Sequence, residues 1–116
     1  MELETAIRSY YDYVDAEEYE ALFDLFASKI VYHRSGQPTI RGFQDFKEFY
    51  LTHRPLSEGS HTVDELHVDD RSVVVRGRFE GILRDEHIKF GFADVHHFNE
   101  QGLISERWTY TDLGAV

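Results

Sequence analysis

The sequence predicts an α+β domain in which a curved antiparallel sheet wraps around N-terminal helices. Up to Pro55, apolar residues recur mainly at helical spacing, whereas four later segments alternate apolar and polar residues. The loops that connect those four segments are short enough to form β-hairpins. Helices that precede a sheet and pack on one of its faces are typical of an α+β layer. We expect about three helices and a strongly curved, cone-shaped sheet whose open end forms a pocket.

Each predicted helix has an apolar stripe on one face. Leu3, Ile7, Tyr10 and Val14 form the stripe of the first helix. A second helix follows Asp15, which is suited to cap it, and a third helix follows Gly42 and ends at Arg54-Pro55. The stripes of the second and third helices are Tyr19, Leu22, Phe23 and Phe26, and then Phe46, Phe49 and Tyr50.

Five segments have the composition or alternation of strands. A short strand is predicted over 29–34, with a turn at Ser35, Gly36 and Pro38, and four longer strands over about 61–68, 72–83, 87–99 and 103–112. A loop is predicted at 57–59. Gly77, Gly81 and Gly91 lie within two of the long strands, where we expect bends or close approaches of the backbone.

Composition excludes several classes of protein. The 116 residues, with 41% hydrophobic content, suit one domain with a single core. The absence of cysteine excludes disulfides and thiolate chemistry. A formal charge of −10 without a basic cluster argues against nucleic acid and membrane partners. The sequence shows neither an apolar run of membrane-spanning length nor a signal-peptide pattern, so we expect a cytoplasmic protein.

Asp94 is the most informative single residue. Ile88, Phe90, Phe92, Asp94, His96 and Phe98 alternate along one predicted strand and therefore share a face that is mostly apolar. A carboxylate inside such a face needs hydrogen bonds or a charge partner, or it keeps its proton. Two interpretations of Asp94 are open at this point: it is a structural carboxylate paired with an arginine, or it is a functional acid.

Three motifs carry a resemblance to a known family. They are Tyr32-His33-Arg34-Ser35-Gly36, Gly59-Ser60-His61-Thr62 and Phe92-Ala93-Asp94, supported by Trp108-Thr109-Tyr110. With the order of elements, they make the chain resemble the nuclear transport factor 2-like superfamily, and within it the ketosteroid-isomerase and polyketide-cyclase-like (SnoaL-like) branch. The resemblance implies one SnoaL-like domain over residues 1–116 with a cystatin-like roll. The superfamily hosts isomerases, cyclases, epoxide hydrolases, dehydratases and binders, so activity must come from the site.

The resemblance to ketosteroid isomerases implies a catalytic trio. That family holds an enolate oxygen with a tyrosine on the first helix and a protonated Asp on a late strand, positions that Tyr10 and Asp94 match. His33 stands where the family has its Asp base. Two neutral donors and a base describe isomerisation, enolisation or aldol-type cyclisation without a cofactor. The alternatives are that Tyr10 is a core aromatic and that His33 lies on a surface strand.

The expected ligand is a small apolar molecule. The predicted substrate-binding residues are Tyr32, Arg34, His61, Phe49, Phe90, Phe92 and Trp108. His61 is expected as a polar group at the pocket rim. The seven histidines lack the local spacing of metal ligands, so no metal is predicted.

An epoxide hydrolase-like set is a further alternative. Tyr32 matches the water-orienting tyrosine of those enzymes, Arg34 replaces their asparagine, and Asp94 matches one carboxylate. The remaining members of the set would be Arg76 or Arg78 and, as a substitute carboxylate, Glu80. In the competing interpretation these last three residues form the polar face of a strand.

A non-catalytic role is the alternative function class. A ligand-binding or accessory domain predicts an ionised Asp94 paired with an arginine such as Arg34 or Arg107, whereas the enzyme predicts a protonated Asp94. A third possibility is a dimeric domain whose cone is nearly filled.

The outer sheet face is the predicted homodimer surface. The apolar residues expected there are Val63, Phe79, Trp108 and Tyr110. An alternative assignment places Trp108 and Tyr110 in the pocket wall.

Overall fold

A computed structural model describes residues 2–116 as three α-helices, a π-helical turn and six strands. The elements are α1 (Leu3–Asp15), α2 (Tyr19–Phe23), β1 (Phe26–Arg34), β2 (Ile40–Arg41), α3 (Phe43–Glu48), a π-helical turn (Phe49–His53), β3 (Leu56–Asp69), β4 (Ser72–Leu83), β5 (Glu86–Phe98) and β6 (Ile104–Thr111). The predicted α+β class is confirmed. No helix within residues 2–116 is long and apolar enough to cross a membrane.

The sheet is mixed and open, with strand order β2-β1-β6-β5-β4-β3. Strands β3 to β6 form the predicted antiparallel meander. The expectation of a wholly antiparallel sheet is wrong at one pair, because β1 and β6 are parallel. Four strands and α3 separate these two segments in the chain, so β6 is free to return in the direction of β1.

Helix α1 packs against the inner face of β3 and β4 and against α2. Helix α1 buries Ala6, Ile7, Tyr10, Tyr11 and Val14. Helix α2 is shorter than predicted, and Phe26 belongs to β1. Asp15 does not cap α2, because its carboxylate hydrogen-bonds His61 and Glu18 takes the cap position.

The segment after β2 confirms the predicted inward face of the third helix. Phe46, Phe49 and Tyr50 are buried, and Arg54 adopts an extended conformation before Pro55. The predicted loop at 57–59 is instead the start of β3, where the pairing with β4 shifts register.

Two glycines in β4 allow close packing, as expected. A Cβ at Gly77 would collide with the carbonyl oxygen of Thr62, and one at Gly81 would lie 2.8 Å from the carbonyl oxygen of Ser57. Backbone atoms cannot give way as flexible side chains do, so these positions need glycine.

The sheet faces differ in burial. On β5 the predicted face from Phe90 to Phe98 is inward and buried. Phe79 also lies inward, 1% exposed, so its assignment to the outer face is wrong. Tyr110 is 52% exposed on the outer face, and Trp108, half-buried, shares that face. Strand alternation thus excludes Trp108 and Tyr110 from the pocket wall.

Candidate functional site

A cavity lies between α1, β1, the π-helical turn and strands β5 and β6. Its inner volume is about 50 Å³, and the cavity is partly open to solvent, so a larger ligand can extend out of it. The wall is aromatic with polar groups between the rings. The aromatic residues are Tyr10, Tyr32, Phe49, Tyr50, Phe90 and Phe92, and the polar ones include Arg34, Arg54, His61, Asp94, Arg107 and Thr109.

Asp94 is a fully paired, buried carboxylate. It accepts hydrogen bonds from Arg107 Nη2 at 3.0 Å, from the Tyr11 hydroxyl at 2.6 Å and from Thr109 Oγ1 at 2.7 Å. Burial acts to raise the pKa of Asp94, but the Arg107 charge and the hydrogen bonds outweigh it and hold that pKa below its usual value. The expectation of a proton-holding Asp94 therefore gives way to an ionised Asp94, because three donors need an acceptor.

Arg107 is the buried cation of the cavity. Its guanidinium lies between the rings of Tyr10 and Tyr32, with its central carbon 4.4 and 4.6 Å from the ring centroids. It also donates a long 3.4 Å hydrogen bond to the Tyr50 hydroxyl. Its Nε atom is buried without a hydrogen-bond partner among residues 2–116. Aromatic faces and Asp94 together make a buried guanidinium tolerable.

Tyr10 and Tyr50 form a pair of neutral hydroxyls. Their oxygens are 2.5 Å apart, so one hydroxyl donates to the other. Burial raises the pKa of Tyr50 to about 12, and it raises the pKa of Tyr10 as well. Both phenols therefore keep their protons at neutral pH. The pair has two protons and uses one between its own oxygens, which leaves one O–H for a ligand oxygen.

His61 is held in a defined orientation by Asp15. The carboxylate of Asp15 lies 2.5 Å from His61 Nδ1 and 2.8 Å from the backbone nitrogen of the same residue. We therefore assign the proton to Nδ1, which leaves the Nε2 lone pair free. The ring is packed among Tyr11, Phe79 and Phe92 and lines the cavity.

His33 lies on the opposite face of the sheet. Its Nε2 is 2.7 Å from Glu106 Oε2, and its ring stacks on Trp108 at 5.1 Å. The neighbouring Tyr32 faces the cavity, and consecutive residues of a strand point to opposite faces. The structure thus does not bring His33 together with Tyr10 and Asp94. Tyr11, one residue later on α1, donates its hydroxyl proton to Asp94, whereas Tyr10 pairs with Tyr50.

Most of the predicted substrate-binding residues do meet in the cavity. Tyr32, Arg34, Phe49, His61, Phe90 and Phe92 line it. Trp108 is the exception, because it points outward toward His33 and His97.

The epoxide hydrolase-like set does not assemble. Arg76 and Arg78 are exposed and paired with Glu65 and Asp64 on the outer face. Glu80 is also exposed, at hydrogen-bonding distance from the His87 ring. Only Tyr32, Arg34 and Asp94 of that set reach the cavity.

His96 is a structural residue beside the site. Burial lowers its pKa to about 3, so its ring is neutral. The Tyr11 hydroxyl donates to Asp94, so His96 Nε2, 3.2 Å from the same hydroxyl oxygen, carries the proton of their hydrogen bond.

The sequence did not indicate the site roles of Tyr11 and Asp15 or the pairing of Tyr10 with Tyr50. Each is a contact between distant segments, 40 to 83 residues apart, with no local pattern. Strand alternation gave one usable signal for the site. Thr109, two residues after Arg107 on β6, lies on the same face of the sheet as Arg107.

The helices and the curved sheet define a class of small α+β domains in which helices and sheet surround a cavity. The family model of the SnoaL-like domain matches residues 7–107, and the chain belongs to that family, within the nuclear transport factor 2-like superfamily. No curated protein matches the chain in sequence.

Several solved structures share the fold at low identity. A protein classed as a SnoaL-like polyketide cyclase from Jannaschia sp. CCS1 is 12% identical, with a TM-score of 0.82 over 96% of this chain and 85% of its own. An LEH-like epoxide hydrolase from M. tuberculosis is 15% identical, with a TM-score of 0.81 over 94% and 81%. An NTF2-like protein of unknown function from Burkholderia pseudomallei K96243 is 15% identical, with a TM-score of 0.86 over 97% and 92%. At these identities the likeness shows the fold alone.

Proposed function

We propose that this protein is a cofactor-free acid–base enzyme that acts on a small carbonyl compound, by enolisation, isomerisation or aldol-type cyclisation. One observation carries the proposal. His61, oriented by Asp15, opens on the same cavity as the Tyr10–Tyr50 pair and Arg107. A positioned base and preformed donors in one cavity are the requirements of proton abstraction next to a carbonyl group.

Each group has a role in the proposed step. His61 Nε2 takes a proton from the carbon beside the carbonyl, and the electrons of that C–H bond move to the carbonyl oxygen. The spare hydroxyl proton of the Tyr10–Tyr50 pair and the guanidinium of Arg107 stabilise the resulting oxyanion. Asp15 remains a carboxylate and stabilises the imidazolium of His61. Return of the proton to the same or another carbon completes an isomerisation.

The proposal changes the base and the role of Asp94 from those that the resemblance implied. His61 replaces His33 as the base, because His33 lies on the outer face. Asp94 acts by holding Arg107, Tyr11 and Thr109 in place. The relatives with cyclase and epoxide hydrolase names support small-molecule chemistry on this scaffold and favour no single reaction.

The test is deuterium exchange of small enolisable aryl ketones in D₂O, followed by NMR. We expect the native protein to accelerate exchange, and His61→Gln to lower the rate about 100-fold or more, the typical loss on removal of a general base. His33→Gln is the matched control and should keep the native rate. Equal rates for native protein and His61→Gln would contradict the proposal.

A ligand-binding module without chemistry is the second candidate. The ionised Asp94 paired with Arg107 favours it, because this pairing is what the sequence predicts for a binder. Under this alternative the ketones bind, shift the NMR signals of cavity residues and exchange no faster than in buffer.

The proposed partners are a small organic ligand and a second copy of the chain. Val74 and Tyr110 are 40% and 52% exposed, and we propose the outer sheet face that carries Tyr110 as a homodimer surface. Sedimentation of the native protein and of Tyr110→Glu tests it, and a monomeric native protein would contradict it.

A further inference from the structure

We propose that the ligand of the cavity is an anion, and that Arg34 and Arg54 bind its carboxylate group. The inference rests on the proposed function and names the substrate class, a carboxylate-bearing carbonyl compound. Sequence composition favours an apolar ligand, so the inference departs from that expectation.

The charges that line the cavity do not balance. Arg34, Arg54 and Arg107 all line it, and Asp94 is the one acidic side chain among the lining residues of 2–116. Asp94 is already neutralised by Arg107. Within the described part of the chain, no Asp or Glu side chain lies within 4.0 Å of Arg34 or Arg54. Two guanidiniums without an acidic side-chain partner, in a protein with a formal charge of −10, form a local anion site.

The Arg34 side chain has an unused hydrogen-bond donor that can bind a ligand oxygen. Its guanidinium lies over the Phe49 ring, 4.3 Å from the centroid, which leaves its edge open. Its Nε atom is buried and has no hydrogen-bond partner in residues 2–116. Its Nη1 atom donates to the backbone oxygen of Val116 at 3.3 Å, so an acceptor oxygen already occupies part of this edge. A carboxylate can bond Nε and Nη together, which a single backbone oxygen does not do.

Arg54 adds a second charge at the same end of the cavity. It donates to the backbone oxygen of Leu56 at 3.1 Å, which fixes its side chain. Burial and the charge of Arg54 lower the pKa of Arg34. The nearby Tyr32 and Tyr50 act in the opposite direction and do not offset this effect. Like charges held close together are relieved when an anion binds between them.

The experiment compares benzoate with benzamide, which has nearly the same shape and no charge, by NMR titration. We expect benzoate to bind the native protein about tenfold or more tightly than benzamide, and to shift the Arg34 Nε–H signal. Arg34→Gln and Arg54→Gln should each reduce this preference. Arg84→Gln removes an exposed charge outside the cavity and should leave it unchanged.

The outcomes separate this inference from the proposed function. Equal binding of the two compounds, no binding of either, or an undiminished preference in both cavity variants would overturn the carboxylate site. The titration involves no turnover, so those results leave the role of His61 untouched. Conversely, if the native protein prefers benzoate but fails to accelerate ketone exchange, the anion site is supported and the proposed enzymatic function is contradicted.

Discussion

The two faces of the sheet carry the same arginine–carboxylate chemistry in opposite surroundings. Inside the cavity, Arg107 and Asp94 are 3% and 2% exposed. On the outer face, Arg78 makes two hydrogen bonds to Asp64, yet its side chain is 66% exposed. Water screens the outer pair, whereas burial removes most of that screening from the inner pair. Hydrogen-bond geometry alone therefore does not show which of the two pairs contributes more to stability.

Histidine–carboxylate pairs show the same contrast. His61 is 10% exposed, contacts Asp15 and lines the cavity. His33 is 30% exposed and contacts Glu106 on the outer face. Both pairs contain the elements of an oriented base, but of the two histidines His61 alone lines the cavity. The surroundings, more than the residue types, separate a site from a surface contact.

The largest expected effect concerns the inner arginine pair. Asp94→Asn removes the negative charge and leaves Arg107 buried without a counterion, which should lower the free energy of unfolding by about 3–5 kcal/mol. Urea denaturation of the variant measures this loss. Asp64→Asn on the outer face is the control, and we expect little change there because the pair is exposed. A fully stable Asp94→Asn protein would show instead that Asp94 carries a proton.

The second effect compares adjacent histidines on opposite faces. His96 is buried with a pKa of about 3 against 6.5 for the free side chain, so between these values the unfolded chain binds a proton that the folded protein does not. Stability is therefore fully present above about pH 6.5 and falls as the pH is lowered toward 3, by about 1.4 kcal/mol per pH unit.

Urea denaturation at several pH values measures this slope for His96→Gln and for the control His97→Gln. The first change should remove much of the slope between pH 6.5 and 4, and the second should retain it because His97 is exposed. An unchanged slope in His96→Gln would assign the pH dependence to other groups.

The fold was largely predictable because it depends on local periodicity. The alternation in β5 placed Asp94 inside, and the stripe at Phe46, Phe49 and Tyr50 placed the third helix. The parallel pairing of β1 with β6 was not predictable from these signals, because strand pairing across more than 70 residues leaves no periodic trace.

The site was predictable only in part, for the same physical reason. Alternation limits each strand residue to one face, so Tyr32 and His33 cannot both line the cavity, and this signal was available in the sequence. The apolar periodicity of α1 did not show which of Tyr10 and Tyr11 contacts Asp94, because both side chains are buried. The contact of Asp15 with His61 joins the end of a helix to a strand 46 residues away, beyond the reach of any local pattern.

The smallest effect tests the histidine comparison through the carboxylates. Asp15→Asn keeps the size of the side chain but permits the wrong tautomer of His61 and cannot stabilise its imidazolium. Ketone exchange should slow by about 10- to 100-fold while benzoate binding persists. Glu106→Gln makes the equivalent change beside His33 and should leave exchange at the native rate, because the ring it contacts faces away from the cavity. Equal slowing by both substitutions would mean that Asp15 acts through general stability, and the free energies of unfolding of the two variants would then fall in parallel with their rates.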